Sequence, residues 1–398
     1  MNSSGHDGSK PRKAETLLVT AGRDTAAQKG FVNPPVVRGS TVIYPTAGDL
    51  HALAGEFRYA RYGTPTTKAL QQALMAIEGP NCAGVALVPS GLSAITSTLF
   101  SVLRAGDHLL VSDSIYRPSR TFCDGLLARY GVETGYFDPL IGAGIAELFK
   151  PNTAAVMVEA PGSQTFEMPD IPAIAAVAHA SGALLIDDNT WASPLYRRAL
   201  EQGVDVSMQA ATKYIGGHSD VMFGTISANA QTWPRILETT RELGVCAGPD
   251  DVFLAMRGLR TLSVRLAQHQ RSALDIARWL QTRSEVASVL YPALESDPGH
   301  AIWKRDFSGA SGLFSIILRP APKQAVDALL DALKLFGMGY SWGGFESLII
   351  PFDCDGYRTA TRWAPSGPAL RLHIGLENVD DLRADLKLGF AAFNAAQA

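Results

Sequence analysis

Between Thr66 and Ala228, short apolar runs alternate with segments of helical period. More than any other feature, that alternation restricts the chain to a sheet covered on both faces. The run KALQQALMAIEG predicts a helix over Thr66–Gly79, stopped by Gly79-Pro80. Strands are predicted at Gly84–Pro89, His108–Ser112, Val132–Phe137, Ala154–Glu159, Ala183–Asp187, Val204–Gln209 and Gly224–Ala228. Helices are expected over Ser90–Arg104, Ser119–Tyr130 and Ile171–Ala180. The fold class is therefore α/β with a mostly parallel sheet. After Gly258 the pattern changes to a long helix over Ser263–Thr282, then strands near Val286–Tyr291 and Leu370–Ile374, with the segment Gly312–Leu318 between them. Helices Lys323–Leu333 and Asp380–Phe393 and a glycine-rich stretch, Gly337–Ser347, complete a smaller α+β domain. The expected division is an N-terminal arm over 1–63, a large domain over 64–259 and a small domain over 260–398.

A net charge of -3 on 398 residues gives no reason to expect nucleic acid or an anionic membrane as partner. No apolar stretch reaches membrane-spanning length. The polar start, Met1–Lys13, lacks the apolar core of a secretory leader; it is expected to be a flexible tail on a cytoplasmic protein. Cys82, Cys123, Cys246 and Cys354 are scattered and read as reduced thiols. His179, His218, His269 and His300 lack the i, i+4 pairing of a helical metal site, so no metal is expected.

The chemistry concentrates where predicted strands end. Ala211-Thr212-Lys213-Tyr214 follows the strand that ends at Gln209, and Asp187-Asp188 closes the run Leu184-Leu185-Ile186. A lysine able to form a Schiff base, with an acid at a neighbouring strand end, suits pyridoxal phosphate (PLP): the lysine holds the aldehyde and the acid keeps the pyridine nitrogen protonated. Taken alone, Lys213 reads equally as a surface lysine, and the Asp pair as a turn cap. Of the two acids, Asp188 is the better partner for the ring, with Asp187 left to a supporting place. Ser90-Gly91-Leu92 opens a predicted helix, where backbone N–H groups and the helix dipole attract phosphate, although an N-cap serine explains the same residues. No G-x-x-x-x-G-K-[ST] is present, and no G-x-G-x-x-G opens a helix after a strand. Tyr116, just past His108–Ser112, is placed to lie on an aromatic cofactor or to pack in the core. Tyr59 and Arg61 precede the first long helix in a polar, aromatic stretch that reads as a phosphate contact or a surface loop. Arg371 sits inside the apolar strand Leu370–Ile374, where it needs an anion; a substrate carboxylate and an internal salt bridge both qualify. Tyr340, Ser341 and Trp342, with Gly343-Gly344, are able to wall a pocket.

Longer segments carry more information than any single residue. FDPLIGAGI (Phe137–Ile145), QAATKYIGGHSD (Gln209–Asp220), RGLRTLSVRLAQH (Arg257–His269), WKRDFSGASGLFS (Trp303–Ser315), YSWGGFESLI and RLHIGLENVDDL resemble the Cys/Met-metabolism family of PLP enzymes, from about Thr16 onward. The resemblance implies the aspartate aminotransferase-like fold (fold type I), with PLP bound by the large domain. It implies that Lys213 carries the cofactor, Asp188 pairs with the ring nitrogen and Tyr116 stacks on the ring. Ser90, Gly91, Leu92 and the Thr212 hydroxyl would hold the phosphate. Tyr59 and Arg61 would reach a neighbouring copy's site, which implies a homo-oligomer, a tetramer built from dimers that share active sites. Arg371 would clamp the carboxylate of a small amino-acid substrate, with Tyr340, Ser341 and Trp342 lining the pocket; Tyr59 and Tyr116 would also face the substrate. The branch implied is a carbon–sulfur β-lyase releasing homocysteine, pyruvate and ammonia from L-cystathionine, on the way to methionine, with other cysteine S-conjugates as further substrates. Sister γ-elimination and γ-replacement reactions are the alternative. Two departures point to the β-lyase branch: Ala210 stands where many members have serine, and Trp342 stands in a Ser-Trp-Gly-Gly run where γ-specific members commonly read Ser-Leu-Gly-Gly.

Overall fold

The computed structural model describes residues 12–397. Of the tail expected at the start, residues 1–11 lie outside the described residues, and Arg12 and Lys13 lead into a helix over Ala14–Thr20. Seven strands form the large sheet: β1 (Gly84–Val88), β2 (His108–Ser112), β3 (Glu133–Phe137), β4 (Thr153–Glu159), β5 (Leu184–Asp188), β6 (Val206–Gln209) and β7 (Gly224–Ala228). Their spatial order is β1-β7-β6-β5-β4-β2-β3. The five strands β3, β2, β4, β5 and β6 pair in parallel, whereas β7 runs antiparallel to both β6 and β1. The sheet is thus mostly parallel with one reversed strand. A parallel crossover needs a helix-sized connection. The loop from Ala210 to Phe223, which carries Lys213, contains no helix and instead turns the chain straight back.

Successive side chains of a strand point to opposite faces. Ala86, Leu109, Val111, Met157 and Ile186 enter one core beneath the helix Gly91–Val102. Their neighbours Val85, Leu110, Val156, Val158 and Leu185 enter another, with the helices Pro65–Glu78 and Ile171–Ala180. At about 2 kcal/mol per buried large aliphatic side chain, these two layers dominate the folding of the sheet. The first helix is fixed by a Thr64/Thr67 capping box and Pro65 at its start.

The second sheet is antiparallel, in the order β10-β11-β9-β8, with β8 at Val286–Leu290, β9 at Leu313–Leu318, β10 at Leu348–Phe352 and β11 at Ala369–His373. Strand β10 was not anticipated. Its Pro351 argues against a central strand, and the structure resolves the conflict by placing β10 at the sheet edge. The helices Trp233–Glu242, Pro249–Arg260 and His300–Asp306 were also missed. In the predicted helix Ser119–Tyr130, helical structure begins at Arg117 and passes through a π-helical turn over Cys123–Leu127.

One buried group gives the fold a pH dependence. Glu78 is 1% exposed; its Oε1 accepts from Ser227 Oγ at 2.9 Å and Oε2 has no partner among the described residues. Burial pushes its carboxyl from 4.5 up to about 7. Between those pH values the folded state holds a proton that the unfolded chain has lost, so stability falls as pH rises through the window and the cost is complete above it. Glu78→Gln is expected to stabilise the fold at pH 8 by about 3 kcal/mol and to change little at pH 4. Equal melting temperatures for variant and wild type at pH 8 would refute this.

Candidate active site

Lys213 follows β6 at the carboxyl edge of the large sheet, its backbone N–H donating to Ala210 O at 2.9 Å. Its Nζ donates to Ser341 Oγ at 2.6 Å and stands 5.2 Å above the Trp342 ring. The turn that brings these residues down is tightly constrained. Ser341 has φ +80° and Gly343 φ +89°. A Cβ on Gly343 would fall 2.9 Å from the Lys213 carbonyl carbon, so a side chain there would lift the turn away from the lysine. Burial and the positive charge of Arg371 lower the Lys213 amine to about 8, against the pull of Asp188. An amine so shifted is partly uncharged near neutrality and able to accept a proton.

Arg371, on β11, is 8% exposed and donates from Nη2 to Ser341 O at 2.9 Å. Its Nε has no partner among the described residues, and burial lowers the guanidinium to about 10. A buried cation with an unpaired donor and no carboxylate in contact is built to receive an anion. The internal salt bridge considered above is absent among the described residues.

Asp187 and Asp188 part company at the end of β5. Asp187 is fully buried and paired to Arg197 at 2.8 Å, a structural ion pair. Asp188 points to the other face, 7% exposed, and its Oδ1 accepts from Thr190 N at 3.1 Å and from the Thr190 hydroxyl. Thr190 Oγ1 in turn accepts from Ala210 N at 2.8 Å, linking the Asp188 strand to the Lys213 loop. Burial raises the Asp188 carboxyl, with Thr190 and Lys213 opposing. Tyr116 is 45% exposed beside them, and its N–H donates to Glu159 Oε2 at 2.7 Å. Glu159 ends β4 directly beside Asp188 in the register. Enclosure and the Asp188 charge push its carboxyl well above the usual range.

Ser90 caps the helix Gly91–Val102, its side chain accepting from Ser93 N at 3.1 Å. The N–H groups of Gly91 and Leu92 are the first of this helix and lack intrahelical acceptors. A Cβ on Gly91 would lie 2.5 Å from Ala210 Cβ, so glycine is required for the helix start to meet the Lys213 loop. The Leu92 side chain is 41% exposed, leaving only its backbone to the cradle. Thr212 Oγ1 is occupied on both sides by Phe223, donating to its carbonyl at 3.1 Å and accepting from its N–H at 2.9 Å.

Three anticipated residues are not drawn in by this chain's own contacts. Arg61 donates to Arg241 O at 3.0 Å and lies 4.6 Å over the Tyr62 ring, with Tyr59 42% exposed beside it. Tyr340 is 90% exposed. Conversely, Glu159 and Thr190 belong to the site and were overlooked. Glu159 closes a predicted strand on the same edge as Asp188, a signal that was available; the role of Thr190 depends on a contact with Ala210 that no local pattern announces.

Comparison with known proteins identifies the family. A family model described as Cys/Met metabolism PLP-dependent enzyme matches residues 15–391. The chain is 45% identical over 391 residues to a protein of Salmonella typhimurium named cystathionine beta-lyase, covering 96% of this chain and 98% of that protein. It is 40% identical over 396 residues to one of Wolbachia pipientis named L-alanine/L-glutamate racemase, covering 95% and 97%. The crystal structure of cystathionine gamma synthase from Xanthomonas oryzae, in complex with aminoacrylate and cysteine, superposes with a TM-score of 0.90 at 32% identity, covering 97% of this chain and all of that one.

Proposed function

The chain belongs to the Cys/Met metabolism family of PLP-dependent enzymes, and from that premise we propose that it is the carbon–sulfur β-lyase that converts L-cystathionine and water to homocysteine, pyruvate and ammonia. The observation that carries the reading is the position of Ser341: its hydroxyl accepts from Lys213 and its carbonyl from Arg371, so one residue joins a proton-transfer group to a carboxylate clamp.

The residues present fit PLP. Lys213 offers a lowered amine, the first N–H groups of the Gly91–Val102 helix are left without intrahelical acceptors, and Asp188 presents a carboxylate whose hydrogen bonds among the described residues fall on Oδ1 alone. Lys213 would hold the aldehyde, the Ser90–Leu92 backbone and Thr212 the phosphate, Asp188 the ring nitrogen and Tyr116 the ring face. Thr212 serves only if its hydroxyl turns from Phe223. When bound, the cofactor supplies an electron sink at the substrate's α-carbon. The remaining steps fall to side chains. Arg371 fixes the substrate carboxylate with its Nε and fork, with Ser341, Trp342 and Tyr116 around the substrate. The Lys213 amine takes the proton from Cα and delivers a proton to the departing sulfur. Asp188 would stay ionised beside a protonated ring nitrogen, because a paired charge costs less to bury than either charge alone.

Tyr59 and Arg61 fit a role in a neighbouring copy's site, within a tetramer of dimers. The exposed Phe31, Ile43, Tyr59 and Tyr62 of the arm support its burial against a second copy. The reading places the enzyme in the cytoplasm, in keeping with four free cysteines. No helix among the described residues is long and apolar enough to cross a membrane. Other cysteine S-conjugates are accepted so far as they keep the α-amino acid end that Arg371 grips.

Purified protein with L-cystathionine should yield pyruvate. Formation of 2-oxobutyrate in its place would move the chain to the γ-reactions, and D-alanine from L-alanine with no pyruvate would make it a racemase. Because the Lys213 amine sits near 8 rather than 10.5, covalent capture of added PLP by the cofactor-free protein is expected to accelerate with rising pH and level off above about 8. A capture rate still climbing steeply at pH 10, followed by absorbance, would contradict the lowered amine.

A further inference from the structure

Asp113 is a fully buried carboxylate that no step above uses, and it lies three residues before Tyr116. It collects five donors. Oδ1 accepts from Arg120 Nη1 at 2.7 Å and Thr359 N at 3.1 Å. Oδ2 accepts from Ala360 N at 3.0 Å, Thr361 N at 2.7 Å and Thr361 Oγ1 at 2.8 Å. Arg120, four residues after Tyr116, reaches the same segment through Nη2 to Thr359 Oγ1 at 2.6 Å. The turn carrying Tyr116 is therefore gripped on both flanks by residues 359–361. That segment belongs to the connection between β10 and β11, and Arg371 is the third residue of β11. A second foot of the same connection stands close by: Arg358 donates to Glu167 Oε1 at 2.7 Å and Thr165 Oγ1 at 2.5 Å, just past β4.

We propose that Asp113 is a positioning residue for the reaction, holding the Tyr116 turn of the large sheet in fixed relation to the Arg371 strand of the small sheet by gripping residues 359–361. The proposal rests on the roles given above to Tyr116 and Arg371. Its physical basis is that Tyr116, given the ring face, follows a strand of the large sheet, whereas Arg371, given the substrate carboxylate, stands in the small sheet, so their separation depends on whatever joins the sheets near the site. Backbone N–H groups converging on a buried carboxylate make a stiff joint, because each would otherwise be left unpaired. An ordinary end-of-strand cap needs neither five donors nor a partner from another sheet.

The double variant Thr359→Val/Thr361→Val removes two hydroxyls from an outer segment and leaves both cores untouched. It is expected to lower kcat/KM for L-cystathionine about 10-fold, the scale of a small misplacement of reacting groups, and to speed amide exchange both at 359–361 and at 115–116. Thr359→Ser/Thr361→Ser should restore both. Asp113→Asn, which loses the charge, should show the larger effect. Faster exchange confined to 359–361, with amides 115–116 and kcat/KM unchanged, overturns the proposal. Failure of the lyase reading is seen separately, as a wild-type protein that makes no pyruvate; coupling between the two segments is then judged by exchange alone.

Discussion

Lys213→Ala is expected to lose turnover of L-cystathionine by on the order of 10⁴-fold or more, together with the visible absorbance of covalently held cofactor. Two functions fall on one atom. Nζ is bonded to Ser341 and stands over the Trp342 ring, and its lowered basicity equips it to move protons at neutral pH. The loss should not be structural, because the lysine backbone is held independently through Ala210 and by close packing against Gly343. A Lys213→Ala protein that melts like wild type and is colourless and inactive supports the assignment. One that keeps colour and activity removes the lysine from its role.

Arg371→Met should lower kcat/KM by about 10²- to 10³-fold, the loss of a bidentate, charge-assisted contact with the substrate carboxylate. Met keeps much of the volume within β11 and abandons only the Ser341 carbonyl, so the fold should persist. Removing this cation also removes a positive neighbour that lowers the Lys213 amine, and that amine should titrate higher in the variant. The acid limb of the kcat/KM–pH profile would then move upward. An unchanged kcat/KM would reject the carboxylate clamp.

Much of the site was legible before any coordinates. Lys213, Asp188 and Ser90 sit where an apolar run stops, and in a parallel sheet such stops gather on one edge. Strands were legible where burial on both faces writes a continuous apolar run, as in β1 (GVALV) and in the Ala154–Val158 stretch of β4. Strand β10 was lost because Pro351 reads as a breaker, and only its place at the sheet edge makes it harmless. Glu159 and Thr190 were lost because a carboxylate or hydroxyl at a strand end looks like a cap until its partner is known.

From sequence alone came the α/β class, the family resemblance and the groups proposed to carry the chemistry, since all of these reside in local composition and short-range spacing. Tertiary structure decided which groups meet. The Lys213–Ser341 contact spans 128 residues and the Asp113–Thr361 contact 248. It also decided the reversal of β7, the pairing of Asp187 with Arg197 and the upward shift of Glu78. The reason is physical: helix and strand periodicities act over a few residues, whereas hydrogen-bond partners, the depth of burial and the charges felt by an amine or carboxyl exist only once distant segments are packed together.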